Sequence, residues 1–86
     1  MNVSIELTMS PLQDGYEPHI INFIKTLRDS PFTVLENPLS TQVYGDYYAV
    51  MEFLTKAIGS SFDKQDAVLV YMKLVKNDRS DYKPHF

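Results

Sequence analysis

The chain has 86 residues, a formal net charge of −3, no cysteine, and ordinary proportions of hydrophobic (44%) and charged (22%) side chains. That is enough for one packed domain and argues against a disordered chain; with roughly 60–65% of the unfolded surface buried at this length, a partner subunit would add useful stability. Disulfides, thiolate metal sites and cysteine nucleophiles are excluded, and an acidic balance gives no electrostatic reason to approach nucleic acid.

No apolar run approaches the ~20 residues of a membrane span, and the opening Met1-Asn2-Val3-Ser4-Ile5-Glu6 has neither a basic head nor an apolar signal core. A cytoplasmic protein that does not enter a membrane is the expectation.

Val3, Ile5, Leu7 and Met9 alternate with Ser4, Glu6, Thr8 and Ser10, which predicts a strand with one apolar and one polar face, stopped by Pro11. Gln13-Asp14-Gly15 is turn chemistry, and Pro18 suits the first turn of a helix because it has no amide hydrogen to leave unpaired. Ile20, Phe23, Ile24 and Leu27 then form a stripe at helical spacing, ending near Asp29-Ser30-Pro31.

Phe32 to Glu36 is short and β-rich. Asn37-Pro38 separates it from Leu39 to Tyr44, where Leu39, Thr41 and Val43 fall on one side and Ser40, Gln42 and Tyr44 on the other, so the two segments predict a hairpin. Gly45 permits a sharp corner and Asp46 can cap a helix, over which Tyr47, Val50, Met51, Leu54, Ala57 and Ile58 repeat until Gly59-Ser60-Ser61 supplies a stop. Ala67 to Val75 is apolar on both sides, as in a strand covered on each face. The polar tail from Lys76 to Phe86 either frays or docks on a neighbour.

The order strand, helix, strand, strand, helix, strand is the split βαβ, ferredoxin-like arrangement. It predicts a single α+β domain over 1–86, with two helices on one face of a four-stranded antiparallel sheet. The expected inward set is Ile5, Leu7, Ile24, Leu27, Val34, Leu39, Val43, Val50, Leu54, Val68, Val70 and Met72. Glu6, Thr8, Ser40, Gln42, Tyr44, Leu69, Tyr71 and Lys73 are expected on the other face, which would bind something or meet another sheet.

Catalytic chemistry finds little footing. His19 and His85 have no zinc-ligand spacing, no nucleophile elbow accompanies the serines, and single glycines at Gly15 and Gly45 do not make a phosphate-cradling loop. Most carboxylates fall at helix starts or loop ends, where capping and dipole effects account for them. Glu6, in mid-strand, could meet a cationic ligand or simply pair across strands. Tyr44 and Tyr71 offer stacking surface with a hydroxyl, for a ligand or for an oligomer interface.

Leu7-Thr8-Met9-Ser10-Pro11-Leu12, Leu39-Ser40-Thr41-Gln42-Val43-Tyr44-Gly45-Asp46, the helix from Val50-Met51 through Ala57, and Leu74-Val75-Lys76-Asn77-Asp78-Arg79 together resemble, in order and spacing, the YkoF-like thiamine and hydroxymethylpyrimidine-binding family. The resemblance implies a ferredoxin-like fold and non-catalytic binding of thiamine or its pyrimidine part, in transport or salvage, with neither metal nor cofactor. It also implies a homodimer or homotetramer formed through the sheet, since tandem members carry two such repeats and this chain one. The ligand-binding residues it points to are Glu6, Thr8, Asn37, Ser40, Thr41 and Tyr44, with the glutamate or a tyrosine facing the thiazolium. On strand periodicity Thr41 points inward and Ser40 outward, so lining one pocket with both would need a bulge. The same topology also serves regulatory ligand-sensing modules of the ACT-like, amino-acid-binding kind, and purely structural oligomerisation domains.

Overall fold

A computed structural model describes residues 1–85. The elements run β1 (Asn2–Pro11), α1 (Glu17–Arg28), β2 (Thr33–Glu36), β3 (Thr41–Asp46), α2 (Tyr47–Asp63) and β4 (Val68–Lys76). They form the expected βαββαβ fold, with one antiparallel sheet in the order β2-β3-β1-β4.

Register places Ile5 opposite Val43 and Leu74, and Leu7 opposite Thr41 and Met72, so these side chains share the face beneath the helices. The fully buried centre is Ile5, Leu27, Val43, Val50 and Leu54, and burying each such side chain contributes roughly 1.5–3 kcal/mol. Val3, Phe23 and Ala57 join them, although the expected inward set omitted all three. Phe23 is the stripe residue of α1 between Ile20 and Ile24, and it is buried, more deeply than either.

Three expectations are corrected. Leu39 is not a core residue: it is 87% exposed, in the loop before β3, which begins only at Thr41. Asn37 organises that loop by accepting from the N–H groups of Leu39 and Ser40, both at 3.1 Å, so the turn takes two residues that periodicity had given to the strand. Met72 lies on the helix side but is 38% exposed, because α1 lies chiefly over β1 and α2 over β3, leaving the edge strand β4 with little cover. Finally, Gly59-Ser60-Ser61 does not stop α2, which continues to Asp63. Packing of Ile58 on the core and a contact of the Ser61 hydroxyl with Met9 sulfur at 3.6 Å hold this turn helical against the roughly 1 kcal/mol penalty of a mid-helix glycine.

The strand-to-helix corner forms as its sequence suggests. Asp46 is extended and its carboxylate accepts from Ala49 N–H at 3.3 Å, a side-chain cap for α2. Gly45 is required by space: a Cβ there would sit 2.7 Å from Phe32 Cδ1 and 2.8 Å from Val50 Cγ2. Phe32 itself meets Phe53 edge-on at 5.6 Å, which fixes the entry to β2 against α2.

The far face of the sheet is covered at one end. Asn77, in the left-handed region at φ 99°, turns the chain after β4 back on itself. The Ser4 hydroxyl donates to the Asn77 carbonyl and accepts from Arg79 N–H, both at 2.8 Å. The tail thus docks on its own sheet. Among the described residues, no helix is long and apolar enough to cross a membrane.

Candidate functional site

The hairpin loop is built by a relay of side-chain hydrogen bonds. Asn37 Nδ2 donates to Gln42 Oε1 at 2.9 Å, Gln42 Nε2 donates to Ser40 Oγ at 2.7 Å, and the Ser40 hydroxyl donates to the Glu6 carboxylate at 3.0 Å. Glu6 stands opposite Gln42 on β3 and Lys73 on β4, so a charged strand residue becomes the end acceptor of the loop's own network. This ties residues 37–40 to the middle of β1.

Between that loop, the second half of β1 and the first half of α1 lies a cleft of about 180 Å³. Its apolar side is Leu7, Met9, Ile20, Phe23, Ile24, Pro38 and Leu39, and its polar groups come from Thr8, Asn37, Ser40 and Thr41. Four of the six ligand-binding residues expected from the sequence therefore meet in one place, with Glu6 at the margin through Ser40. The bulge thought necessary to bring Ser40 and Thr41 together is absent. Ser40 precedes the strand and is free of its alternation, whereas Thr41, 8% exposed, is the first residue bound by it.

The polar groups are unequally available. Asn37 and Ser40 are engaged in the relay, while the hydroxyls of Thr8 and Thr41 have no hydrogen-bond partner among the described residues. Thr41, opposite Leu7 on the helix side of the sheet, can offer its hydroxyl to the edge of a small planar ring above the apolar floor, whereas Thr8, opposite Tyr71, belongs by alternation to the open face and borders the cleft from β1.

Tyr44 is not brought into the cleft. It pairs with Ser4 and Thr33 and is 9% exposed, at the end of the sheet where the tail returns, so it offers no stacking surface. Tyr71, by contrast, stands opposite Thr8 and is well exposed. The sequence reading left open which face of the sheet forms the pocket, and it did not foresee the apolar floor. The Ile20, Phe23, Ile24 stripe signalled helix packing, and nothing in its spacing separates core from cleft wall. His19 lies elsewhere, in a depression of about 40 Å³ with Lys64 between the helices. Among the described residues, no three His, Asp or Glu side chains are grouped as metal ligands would be.

No family model matches the chain, and no curated protein matches it. Solved structures do resemble it. Protein SP2199 from Streptococcus pneumoniae is 25% identical, with a TM-score of 0.82 over 91% of this chain and 89% of that one. A Thermotoga maritima protein, TM0486, provisionally assigned to thiamine biosynthesis or salvage, has a TM-score of 0.80 at 14% identity, over 90% of this chain and 85% of its own. A domain of unknown function, DUF77, from Bacillus cereus has a TM-score of 0.72 at 15% identity, covering 90% of this chain and 77% of that one. The likeness to the latter two establishes a shared fold.

Proposed function

We propose that this chain is a non-catalytic binding protein for thiamine or its hydroxymethylpyrimidine part, acting in transport or salvage as a YkoF-like protein of the cytoplasm. The observation that carries the reading is the cleft in which Thr41, its hydroxyl unengaged, lies with Leu7, Ile20, Phe23 and Ile24. Its volume is well under the roughly 300–1,000 Å³ that takes a drug-sized ligand, which suits one heterocyclic ring rather than two. The aminopyrimidine is the ring placed inside, its amine and ring nitrogens against Thr41. The thiazolium then lies outside, toward the exposed carboxylate of Glu6, which supplies the opposite charge. The T. maritima protein of similar fold lends support through its own provisional assignment.

The cleft's polar groups are hydroxyls and one amide, which hold a ligand without supplying a general base, so binding without turnover is the activity inferred. Copies of the chain would assemble through the open face of the sheet, where Leu35, Leu69 and Tyr71 are exposed.

A thermal-shift panel tests the reading. Thiamine and hydroxymethylpyrimidine should raise the melting temperature, since a ligand that binds only the folded state stabilises it by about 2.7 kcal/mol at a hundred times Kd. If free amino acids raise it and neither thiamine compound does, the chain is instead a sensing module of the ACT-like kind.

A further inference from the structure

At the Met9 end of the cleft lies a polar cluster that the fold leaves short of partners. Gln65, just past the end of α2, is 9% exposed. Its Nε2 donates to the Ser61 carbonyl at 3.2 Å and to the Ser61 hydroxyl at 2.8 Å. A carbonyl can only accept, so this bond fixes which end of the amide is nitrogen. The Oε1 at the other end is buried, and among the described residues nothing donates to it. The remaining donors go to sulfur: the Ser61 hydroxyl meets Met9 Sδ at 3.6 Å and Gln65 Nε2 meets it at 3.8 Å. A thioether is a weak acceptor, and a buried carbonyl oxygen without a donor opposes folding until something donates to it. Met9 also lines the cleft, so one side chain is shared by the ligand site and the unsatisfied amide. Methionine is unbranched, with three rotatable bonds by which it can turn aside.

We infer that Gln65 is a second reader of the ring in the cleft: once the Met9 thioether turns away, Oε1 accepts an N–H of the ring's exocyclic amine. The inference rests on the reading of the cleft as an aminopyrimidine site, and it names the group that selects the amine. An amine has two N–H groups, enough for Thr41 and Gln65 to accept one each. Carboxamides read the amine of adenine this way, the oxygen accepting from the exocyclic N–H while the nitrogen donates to a neighbouring ring nitrogen. Gln65 Nε2 gives up only its long contact with sulfur to do the same, and it keeps Ser61. A ring without the amine leaves Oε1 unpaired, and a site built to pair with a ligand N–H rejects the analogue that lacks it.

Calorimetric titration tests this with hydroxymethylpyrimidine and its analogue bearing hydrogen in place of the amine, each added to wild type and to Gln65→Met. Wild type should prefer the aminopyrimidine, and the preference should fall at least tenfold in Gln65→Met. The preference is a ratio of two affinities in one protein, so partial unfolding of the variant cancels from it. In wild type alone, the side-chain amide resonances of Gln65 should shift on adding the aminopyrimidine and stay in place on adding the analogue. An undiminished preference in Gln65→Met, or Gln65 resonances unmoved by a bound aminopyrimidine, would overturn this inference alone. Failure of wild type to bind the aminopyrimidine would overturn the proposed function and this inference with it.

Discussion

Ser40 donates to the Glu6 carboxylate at 3.0 Å across 34 residues of sequence, and through that bond the hairpin loop is fastened to the central strand. Both groups are at or near the surface, so the bond contributes at most about 1 kcal/mol to stability. Its larger effect is to hold the loop that forms one wall of the cleft. Ser40→Ala, which breaks the relay at its middle, should leave the midpoint of urea unfolding within about 1 kcal/mol of wild type. Affinity for hydroxymethylpyrimidine should fall about tenfold, as a wall that must be ordered on binding weakens the complex. Titration calorimetry on the folded variant separates the two effects.

The corner between β3 and α2 tolerates no side chain. Gly45→Ala would drive a methyl group against Phe32 and Val50, the latter fully buried, so the neighbours must shift. Overpacking of this kind costs about 1–3 kcal/mol. Equilibrium urea unfolding should show that loss; an unchanged midpoint would mean the corner is looser than described.

Leu39 and Leu54 test the boundary between loop and core. Leu54→Ala should cost about 2–5 kcal/mol because it empties a fully buried position. Leu39→Ala should stay within roughly 0.5 kcal/mol of wild type, since the side chain stands in solvent beside the cleft. Equal losses at the two positions would restore Leu39 to the core.

The bidentate pair between Arg28 and Glu36, at 2.5 and 2.7 Å, ties the end of α1 to β2 and carries a pH signature. Hydrogen bonding to Arg28 holds the Glu36 carboxyl below its ordinary value of 4.5. A carboxyl lowered on folding adds stability that is present in full above its unfolded pKa and is lost as pH falls through its lowered folded value. Glu36→Gln should therefore melt below wild type at pH 7, and the gap should close as the pH drops below 4.5. Because both groups are exposed, the gap should be small and should narrow in high salt. Melting curves at pH 7 and pH 3 provide the check.

Strand alternation in β1 and helical spacing in both helices state the fold plainly, because each element buries one face and its sequence must repeat with that face's period. Legibility fails where a local contact overrides periodicity. Asn37 diverts Leu39 and Ser40 into a turn by binding their N–H groups, and Gly59 is carried within α2 by its neighbours' packing. Of the site, Thr8, Asn37, Ser40 and Thr41 could be named from the sequence, but not the face that forms the cleft, since which wall of α1 meets the hairpin loop depends on how the helix lies over the sheet. Tyr44 was misjudged for a related reason. Alternation places it on the open face correctly, but it is buried there, beside Ser4, the residue on which the tail docks through a bond between residues more than seventy apart.

The central claim is that one ring enters the cleft and is read by the unengaged hydroxyl of Thr41, and Thr41→Val addresses it with the least disturbance, removing that hydroxyl while keeping the shape. Calorimetric titration of hydroxymethylpyrimidine into wild type and this variant, both verified as folded, should show binding to wild type and at least a tenfold loss in the variant, the effect of about 1.4 kcal/mol expected for one lost hydrogen bond. Equal affinity in the two proteins, or no binding of the pyrimidine or of thiamine to wild type, would contradict it.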